Sequence, residues 1–389
     1  MTALVLLLRL LTAYWLIRIV VTKARMVKAE FAVDPSSHPD LQSDPPTVTV
    51  CVPARDEADV IEGCVRSVLA QEWPTFDFVL VDDNSDDGTG DLARAAAGDD
   101  PRLRVVAGEG PPEGWMGKAS ACHRAQQEAS GDWLLFVDAD VTLHPRALAV
   151  AMGAAAERDA DMVSWIGGLR TESFGERLLL PYIADLLLIS APFAKVNDPV
   201  DDHTLANGQF ILISRRAYDL VGGHEAIRES VVDDVSLARA VKFHRHLHGP
   251  DAPRLRFTLL HAFDLMQVRM YTSLREVWTG FAKNMYAASK RSVAVMLSGI
   301  GYVLVSSVLP FVLVAAFAAA GSPHVVDAAA TCVAILLFRA YTRRFQPVPF
   351  PYLLLHPVSA ALTAGIMLDS TLRGLGVLAP VRWKGRPVR

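Results

Sequence analysis

The chain has 389 residues, which at roughly 100–200 residues per domain allows two or three domains, or one domain plus membrane segments. Hydrophobic residues make up 51% and the mean hydropathy is +0.26, both high for a soluble protein. A net charge of -4 gives no case for a nucleic-acid partner, and the four cysteines (Cys51, Cys64, Cys122 and Cys332), scattered with no CxxC spacing, exclude a disulfide framework or a cysteine zinc site.

Ala3 to Val21 is almost wholly apolar, broken by Arg9 and Arg18, and is long enough to cross a bilayer. Residues 1–22 are therefore expected to form a transmembrane helix. A signal peptide is disfavoured, because no basic residue precedes the apolar run and no small-residue cleavage site follows it. Lys23, Arg25 and Lys28 come next, and the positive-inside rule puts that end in the cytoplasm. Residues 23–46 read as a linker, rich in Pro, Ser and Asp from 34 onwards.

From Val48 the pattern alternates. Val48–Val52, Asp77–Val81, Leu103–Val106 and Trp133–Val137 read as strands; Ala58–Ala70, Thr89–Ala97 and Lys118–Ala129 have helical spacing. Strands alternating with helices argue βαβ units and a mostly parallel sheet. No GxGxxG or GxxxxGK[ST] loop is present, which disfavours a dehydrogenase or a P-loop enzyme.

Acidic motifs follow the apolar runs, where a parallel sheet presents ligand-binding residues beyond its strand ends. Asp138-Ala139-Asp140 ends the Trp133–Val137 run. In an extended stretch residues i and i+2 point the same way, so both carboxylates face one site. Such hard oxygen ligands suit Mg2+ or Mn2+ held together with substrate phosphates. Asp82-Asp83-Asn84-Ser85 follows the second strand and suits contact with a nucleotide base, while Asp86-Asp87-Gly88-Thr89 reads as a turn and helix cap. Lys118 ends a Gly/Pro-rich loop that opens a helix, a place for an anion such as diphosphate. Asp233-Asp234 opens another helix; one of the pair caps it, and Asp234 is the candidate general base, its pKa raised by its neighbour. His244, His246 and His248 alternate, and read as a polar loop or edge strand rather than as a metal site with His203, His224 and His261.

Met266 to Tyr286 is basic and aromatic, and residues 266–292 read as interfacial amphipathic helices, with Arg269 also able to reach a diphosphate. Residues 293–372 form a second membrane region. Val293–Ala320 is its clearest span, Val325–Tyr341 is short, and Tyr352–Ser370 carries His356-Pro357 and Asp369. Three crossings here would leave the basic tail 373–389 outside, against the positive-inside rule, so one segment is expected to be interfacial or re-entrant. Ionisable residues within these segments are few and mostly near their ends, which favours an anchor over a transporter.

Residues 48–240 resemble the GT-A catalytic domain of family 2 glycosyltransferases. The resemblance rests on Pro53-Ala54-Arg55-Asp56-Glu57, the Asp82–Thr89 loop, Asp138-Ala139-Asp140 and Asp233-Asp234, within an expected catalytic domain of residues 47–265. The family usually has Asn at the position of Asp56 and often Glu at that of Asp233. Gly114-Trp115-Met116-Gly117-Lys118, Asn207-Gly208-Gln209-Phe210, Arg269-Met270-Tyr271 and Trp383-Lys384-Gly385-Arg386 are similar to the membrane-bound branch that glycosylates carotenoids, hopanoid-associated lipids and ceramide. The resemblance implies an α/β fold with a Rossmann-like, mostly parallel mixed sheet and transmembrane helices at both ends. It implies that Asp83 contacts the base, with Pro53, Glu57 and Asp82 nearby. Asp138 would lie by the ribose or diphosphate with Lys118 and Arg269, Asp140 would bind the metal, Asp234 with Asp233 would serve as base, and Gly208 and Gln209 would form an acceptor or sugar loop. Attack would be inverting, from a nucleotide sugar, UDP-glucose by default, on a lipid hydroxyl. The enzyme would sit in a bacterial-type inner membrane with its catalytic domain cytoplasmic. The processive QxxRW motif is not matched by Gln267-Val268-Arg269-Met270-Tyr271, which favours transfer of one sugar over polymer synthesis. A polyprenyl-phosphate glycosyltransferase, a processive synthase and a non-catalytic membrane scaffold are the alternatives. Nothing in the sequence sets the oligomeric state.

Overall fold

A computed structural model describes residues 2–26, 32–36, 45–190, 193–379, 382–383 and 386–387. Residues 27–31 and 37–44 of the expected linker, and Lys384 and Gly385 in the tail, lie outside the described residues. The chain divides into two compact units. One comprises residues 28–168 and 191–269; the other comprises residues 1–27, 169–190 and 270–389.

The first unit is built on strands β1 (Val48–Ala54), β2 (Phe76–Asp82), β3 (Leu103–Ala107), β4 (Trp133–Val137), β5 (Val141–Leu143), β6 (Met162–Ile166), β7 (Gly168–Leu169), β8 (Phe210–Ser214), β9 (Phe257–His261) and β10 (Met266–Val268). Seven of them form one mixed sheet in the order β3-β2-β1-β4-β8-β6-β9. β3, β2, β1 and β4 are parallel, β8 runs antiparallel to both neighbours, and β9 is parallel to β6. β1 is buried along nearly its whole length, as a central parallel strand covered on both faces must be. The helix Ile61–Leu69 buries Ile61, Cys64, Val65 and Val68, one face at helical spacing. The parallel register pairs Ala54 with Asp82, so β1 and β2 end together, and both ends carry the acidic loops. β5 and β10 pair antiparallel just beyond β4, with Val268 opposite Val141.

The second unit holds three helices long and apolar enough to cross a membrane: Thr2–Ala24, Val293–Ala319 and Val325–Thr342. The first and third run parallel: Arg9 pairs with Asp327, Thr12 with Thr331, and Trp15 packs on Phe338. The second runs antiparallel to the first, since Tyr302 bonds to Arg18 while Phe317 packs in a cluster with Leu8. It is interrupted by a π-helical turn at Leu304–Val308, where the Ser306 carbonyl accepts the Trp15 indole N–H. The helix His356–Gly374, whose apolar part the sequence reading counts as a plausible crossing, is not among the three candidate spans. It packs against the amphipathic helix Leu274–Ala288: Trp278 Nε1 donates to Asp369, the Tyr286 amide donates to Ser370, and Trp278 lies over Gly365. Helix Phe174–Ser190 belongs to this unit too. Leu178–Ile183 are buried, and Asp185 forms a buried ion pair with Arg339.

Two local expectations are corrected. Residues 244–248 form a short helix, not a loop or edge strand, because the turn continues from helix Asp233–Lys242 and buries His244 on its inner face. The 266–292 stretch is not helical throughout; Met266–Val268 is a strand paired to β5, and the helix starts at Leu274 behind a Ser273 cap.

Candidate functional site

The loops after β1 and β2 form one interlocked structure. Arg55 Nη1 donates to the Asp83 carbonyl, Asp56 N to Ser85 Oγ, and Glu57 N to Thr89 Oγ1. The Asp56 carboxylate in turn accepts from Asp86 N. Asp56 and Asn84 both have left-handed backbones (φ 51° and 57°), a conformation that Asp and Asn tolerate better than most residues. Either Asp or Asn can therefore stand at 56. Asp82 accepts from Ser85 N, and Asp83 is buried beside Gly108. A Cβ on Gly108 would come within 2.8 Å of the Asp83 Cα, so the loop after β3 closes over Asp83 only with glycine there. Asp87 accepts from Ala58 N, Thr89 N and the Thr89 hydroxyl. Against a burial penalty, those bonds hold its carboxyl below the usual range, in a structural role. Pro53 lies at the end of β1, half-buried, opposite Val81.

Asp138 and Asp140 turn out from the end of β4. Burial pushes the Cys64 thiol far up, and the carboxylates of Asp140, Asp138 and Glu57 push it the same way. Cys64 Sγ lies 3.8 Å from the Asp138 carbonyl, which places the acidic turn beside helix Ile61–Leu69. Arg269 reaches this turn through its backbone, its N–H donating to the Asp140 carbonyl at 3.0 Å. The site already holds one cation: Lys118 Nζ lies 2.5 Å from Asp138 Oδ1. Burial would lower the lysine pKa, but Asp138 and then Asp233 raise it well above the usual value. An oxygen-only donor set that binds an ammonium this closely fits a hard divalent ion such as Mg2+ or Mn2+.

Asp233 and Asp234 open the helix Asp233–Lys242. Asp234 Oδ2 accepts from Gly208 N at 2.9 Å and Oδ1 from Val235 N at 2.8 Å. Burial raises the Asp234 pKa and Asp233 raises it further, while Lys118 and the two amides oppose the shift. The Gly208 carbonyl accepts from Lys118 at 3.4 Å. Asp233, Asp234, Lys118, Asp138 and Gly208 thus converge. The Gln209 carbonyl accepts from Asp138 N at 3.4 Å, which joins the glycine loop to the acidic turn. Sequence reasoning missed Ser164 and gave no role to Asn207 within its motif, and these two hold this loop; a serine on a buried strand carries no pattern of its own. The histidines do not assemble. His224 is buried against Phe136 and bonded to the Tyr218 hydroxyl, and burial lowers its pKa to about 4. Among the described residues the one group of metal-ligand type is Asp201, Asp202 and His203, largely exposed.

Residues 49–212 match the family model "Glycosyl transferase family 2". They form a family 2 glycosyltransferase domain. Two curated relatives are 4,4'-diaponeurosporenoate glycosyltransferases of Staphylococcus aureus strains MRSA252 and USA300. Each is 25% identical, over 240 and 241 residues, which is 60% of this chain. The chain spans 60% of the length of these relatives. A mannosyltransferase from Pyrobaculum calidifontis, solved with GDP-Man and Mn2+, superposes with a TM-score of 0.58 at 19% identity, covering 96% of this chain and 99% of that one. The family 2 domain therefore has the GT-A fold, a mixed and mostly parallel sheet, in a chain with apolar helices at its N-terminus and in its C-terminal region.

Proposed function

We propose that the protein transfers one sugar from a nucleotide-sugar donor to a hydroxyl of a membrane lipid, with inversion. The observation that carries this reading is Asp234, a carboxylate held by two backbone amides and raised in pKa, joined through Gly208 and Lys118 to the Asp138–Asp140 turn. A base needs a lone pair aimed at the acceptor and a pKa close to the working pH. Asp234 takes the acceptor proton as the oxygen attacks the sugar carbon. Lys118 faces the departing diphosphate and stabilises its charge. Asp83 and Asp82 hold the base, with Pro53 and Glu57 beside them, and Arg269 borders the diphosphate end. Asp140, with Asp138, would hold Mg2+ or Mn2+; a bound divalent ion neutralises charge on the diphosphate. UDP-glucose is the donor to test first.

The three candidate spans support the orientation. Their geometry brings Lys23, Lys290, Arg291, Arg343 and Arg344 to the same end of the bundle, which the positive-inside rule assigns to the cytoplasm. Two spans rather than three in the C-terminal region remove the conflict over the basic tail. The staphylococcal relatives are named for a carotenoid acid, which brings lipid carboxylates into the acceptor panel beside hydroxyls.

The test is release of nucleoside diphosphate by the detergent-purified protein, over a panel of nucleotide sugars with extracted lipids and Mg2+ or Mn2+. Lipid-dependent release that Asp234→Asn abolishes is the expected result. No lipid-dependent release with any donor, from folded protein with both metals, would sink the proposal.

A further inference from the structure

Ser164 sits in the middle of β6, fully buried and away from the acidic loops in sequence. Its hydroxyl makes a closed pair of bonds with Asn207: the Asn207 amide donates to Oγ at 2.8 Å, and Oγ donates to the Asn207 carbonyl at 3.1 Å. The Asn207 side chain is fully used as well. Nδ2 donates to the Trp165 carbonyl at 2.8 Å and to Gln209 Oε1 at 3.0 Å, and Oδ1 accepts from Gln209 N at 3.4 Å. One residue beyond Gln209, the Phe210 ring stacks on Trp165 with centroids 4.2 Å apart and planes within 7°.

These bonds fix the two peptide groups that flank Gly208. Its N–H holds Asp234 and its C=O holds Lys118, which holds Asp138. The next carbonyl, of Gln209, accepts from Asp138 N. The loop therefore spans the gap between the base and the acidic turn with backbone groups. It also needs glycine at its centre: a Cβ on Gly208 would lie 3.0 Å from Lys118 Nζ and 3.3 Å from the Asp234 Cβ. Backbone donors alone do not set such a distance, because an unpinned loop with a glycine at its apex has many conformations. The pin is the pair Ser164–Asn207, in a place where an unmet hydrogen bond is costly.

We propose that Ser164 and Asn207 are positioning residues of the transfer reaction, a bracket that fixes the peptides on either side of Gly208 and so sets the spacing between the Asp234 base and the donor's diphosphate end. This rests on the transferase reading for its catalytic consequence, though not for its structural one. Gly208 and Gln209, expected from the sequence as an acceptor or sugar loop, meet Asp234, Lys118 and Asp138 through their main chain, while the Gln209 side chain bonds to Asn207. The charged groups that Asp234 feels are Asp233 on its own helix and Lys118 on helix Gly117–Gln127. Neither is changed by substituting Ser164.

The test compares Ser164→Ala, Ser164→Thr and Asn207→Ala with the wild type, in the full-length protein. Ser67→Ala is the control, because Ser67 is also buried and donates to a carbonyl, that of Cys64, outside the loop. Two readouts are taken. The first is amide hydrogen exchange over residues 207–210 in the ligand-free protein. The second is kcat and donor KM. Ser164→Ala and Asn207→Ala should speed exchange in this peptide and lower kcat by about tenfold to a hundredfold, the scale of a misplaced catalytic group. Donor KM should stay within about twofold, and the acid limb of the pH profile should move up as Asp234 loses its Gly208 bond. Ser164→Thr keeps the hydroxyl and should restore most of both; Ser67→Ala should leave both unchanged. Unchanged exchange in Ser164→Ala overturns the bracket whatever the activity. Faster exchange with unchanged kcat, or an equal loss from Ser67→Ala, overturns its role in positioning. Faster exchange in a protein whose wild type transfers no sugar keeps the bracket and removes the transferase reading instead. If Ser164→Ala does not fold, Asn207→Ala, which keeps both backbone bonds to Ser164, carries the same two readouts.

Discussion

The two units handle charge in opposite ways. In the unit with the seven-stranded sheet three carboxylates, Asp138, Asp233 and Asp234, gather around one ammonium, that of Lys118, and the Lys118 and Asp138 side chains stay partly exposed. In the other unit Asp185 and Arg339 are matched one to one, with side chains only 7% and 4% exposed, and Thr342 adds a further bond to the same carboxylate. Arg18 there lies over the rings of Trp15, Phe338 and Tyr14 and donates to two tyrosine hydroxyls. An excess of negative charge within reach of solvent is, on the proposed function, where a cation and a diphosphate would bind. Matched charge out of reach of solvent holds helices together. The same residue types therefore predict activity in one unit and packing in the other, and substitution should separate the two.

The largest effect is expected at the base. Asp234→Asn keeps the shape and an oxygen for the Gly208 amide but removes the proton acceptor. Transfer should fall by about 10²–10⁴-fold in kcat, the usual contribution of a general base, with donor binding retained. Single-turnover assays with a labelled nucleotide sugar would measure it. A loss confined to donor affinity would break the comparison, since Asp234 would then be a binding residue. The next effect belongs to the other unit. Asp185→Ala leaves Arg339 buried without its carboxylate and should cost about 3–5 kcal/mol of local stability, while the double variant Asp185→Leu/Arg339→Met should recover most of it. Hydrogen exchange in helices 174–190 and 325–342 would follow both. Equal damage from the single and double variants would show that the pair does more than pack.

Legibility followed the same division. In the unit with the seven-stranded sheet each strand through Trp133–Val137 announces itself by a short apolar run, so β1 to β4 are read almost residue for residue, with Asp82, Asp138 and Asp140 standing at or just beyond strand ends. The order of strands beyond β4 is not legible, because β8 inserts antiparallel between β4 and β6 by contacts distant in sequence. Asn207 and Ser164 share that origin: 43 residues separate the partners of one hydrogen bond. In the other unit hydropathy marks Val293–Ala319 and Val325–Thr342 well. At His356–Gly374 hydropathy is lower, and Ser359, Asp369 and Ser370 find partners on helices 174–190 and 274–288 that no local window contains. Met266–Val268 reads as helix because its partner strand, Val141–Leu143, lies far upstream.

A moderate effect tests the carboxylate excess directly. As the proposed base Asp234 must be ionised to act, and burial together with Asp233 raises its pKa. The acid limb of kcat/KM should therefore lie above the ordinary aspartate value of about 3.9. Asp233→Asn removes the neighbouring charge and should move the limb down; Lys118→Met removes the opposing cation and should move it up. The stability consequence has the opposite sense to that of a salt-bridged carboxylate. With a folded pKa above the unfolded one, the favourable contribution of Asp234 is complete below the unfolded pKa and is lost as pH rises through the folded value. Asp234→Asn should thus be more stable than wild type at neutral pH while inactive. A variant that is both inactive and less stable there would mean that the charge is compensated in the resting protein, and that the excess is only apparent.

The smallest effect should be the same in both units. Ser214 and Ser273 each cap a helix, their hydroxyls accepting from Ala217 N and Glu276 N at the same distance of 3.2 Å. Those two bonds carry no formal charge, although Ser273 Oγ also donates to the Glu276 carboxylate at 3.1 Å. Ser214→Ala and Ser273→Ala should each cost about 1 kcal/mol. A single melting temperature does not resolve this in a chain of two units, since two-state unfolding is not assured. Local exchange in helix Arg215–Leu220 and in helix Leu274–Ala288 does. Near-equal costs would confine the difference between the units to their ionised groups. A much larger cost at Ser273 would instead show that hydrogen bonds of every kind weigh more in the unit with the apolar helices, and that the contrast comes from the medium and not from charge.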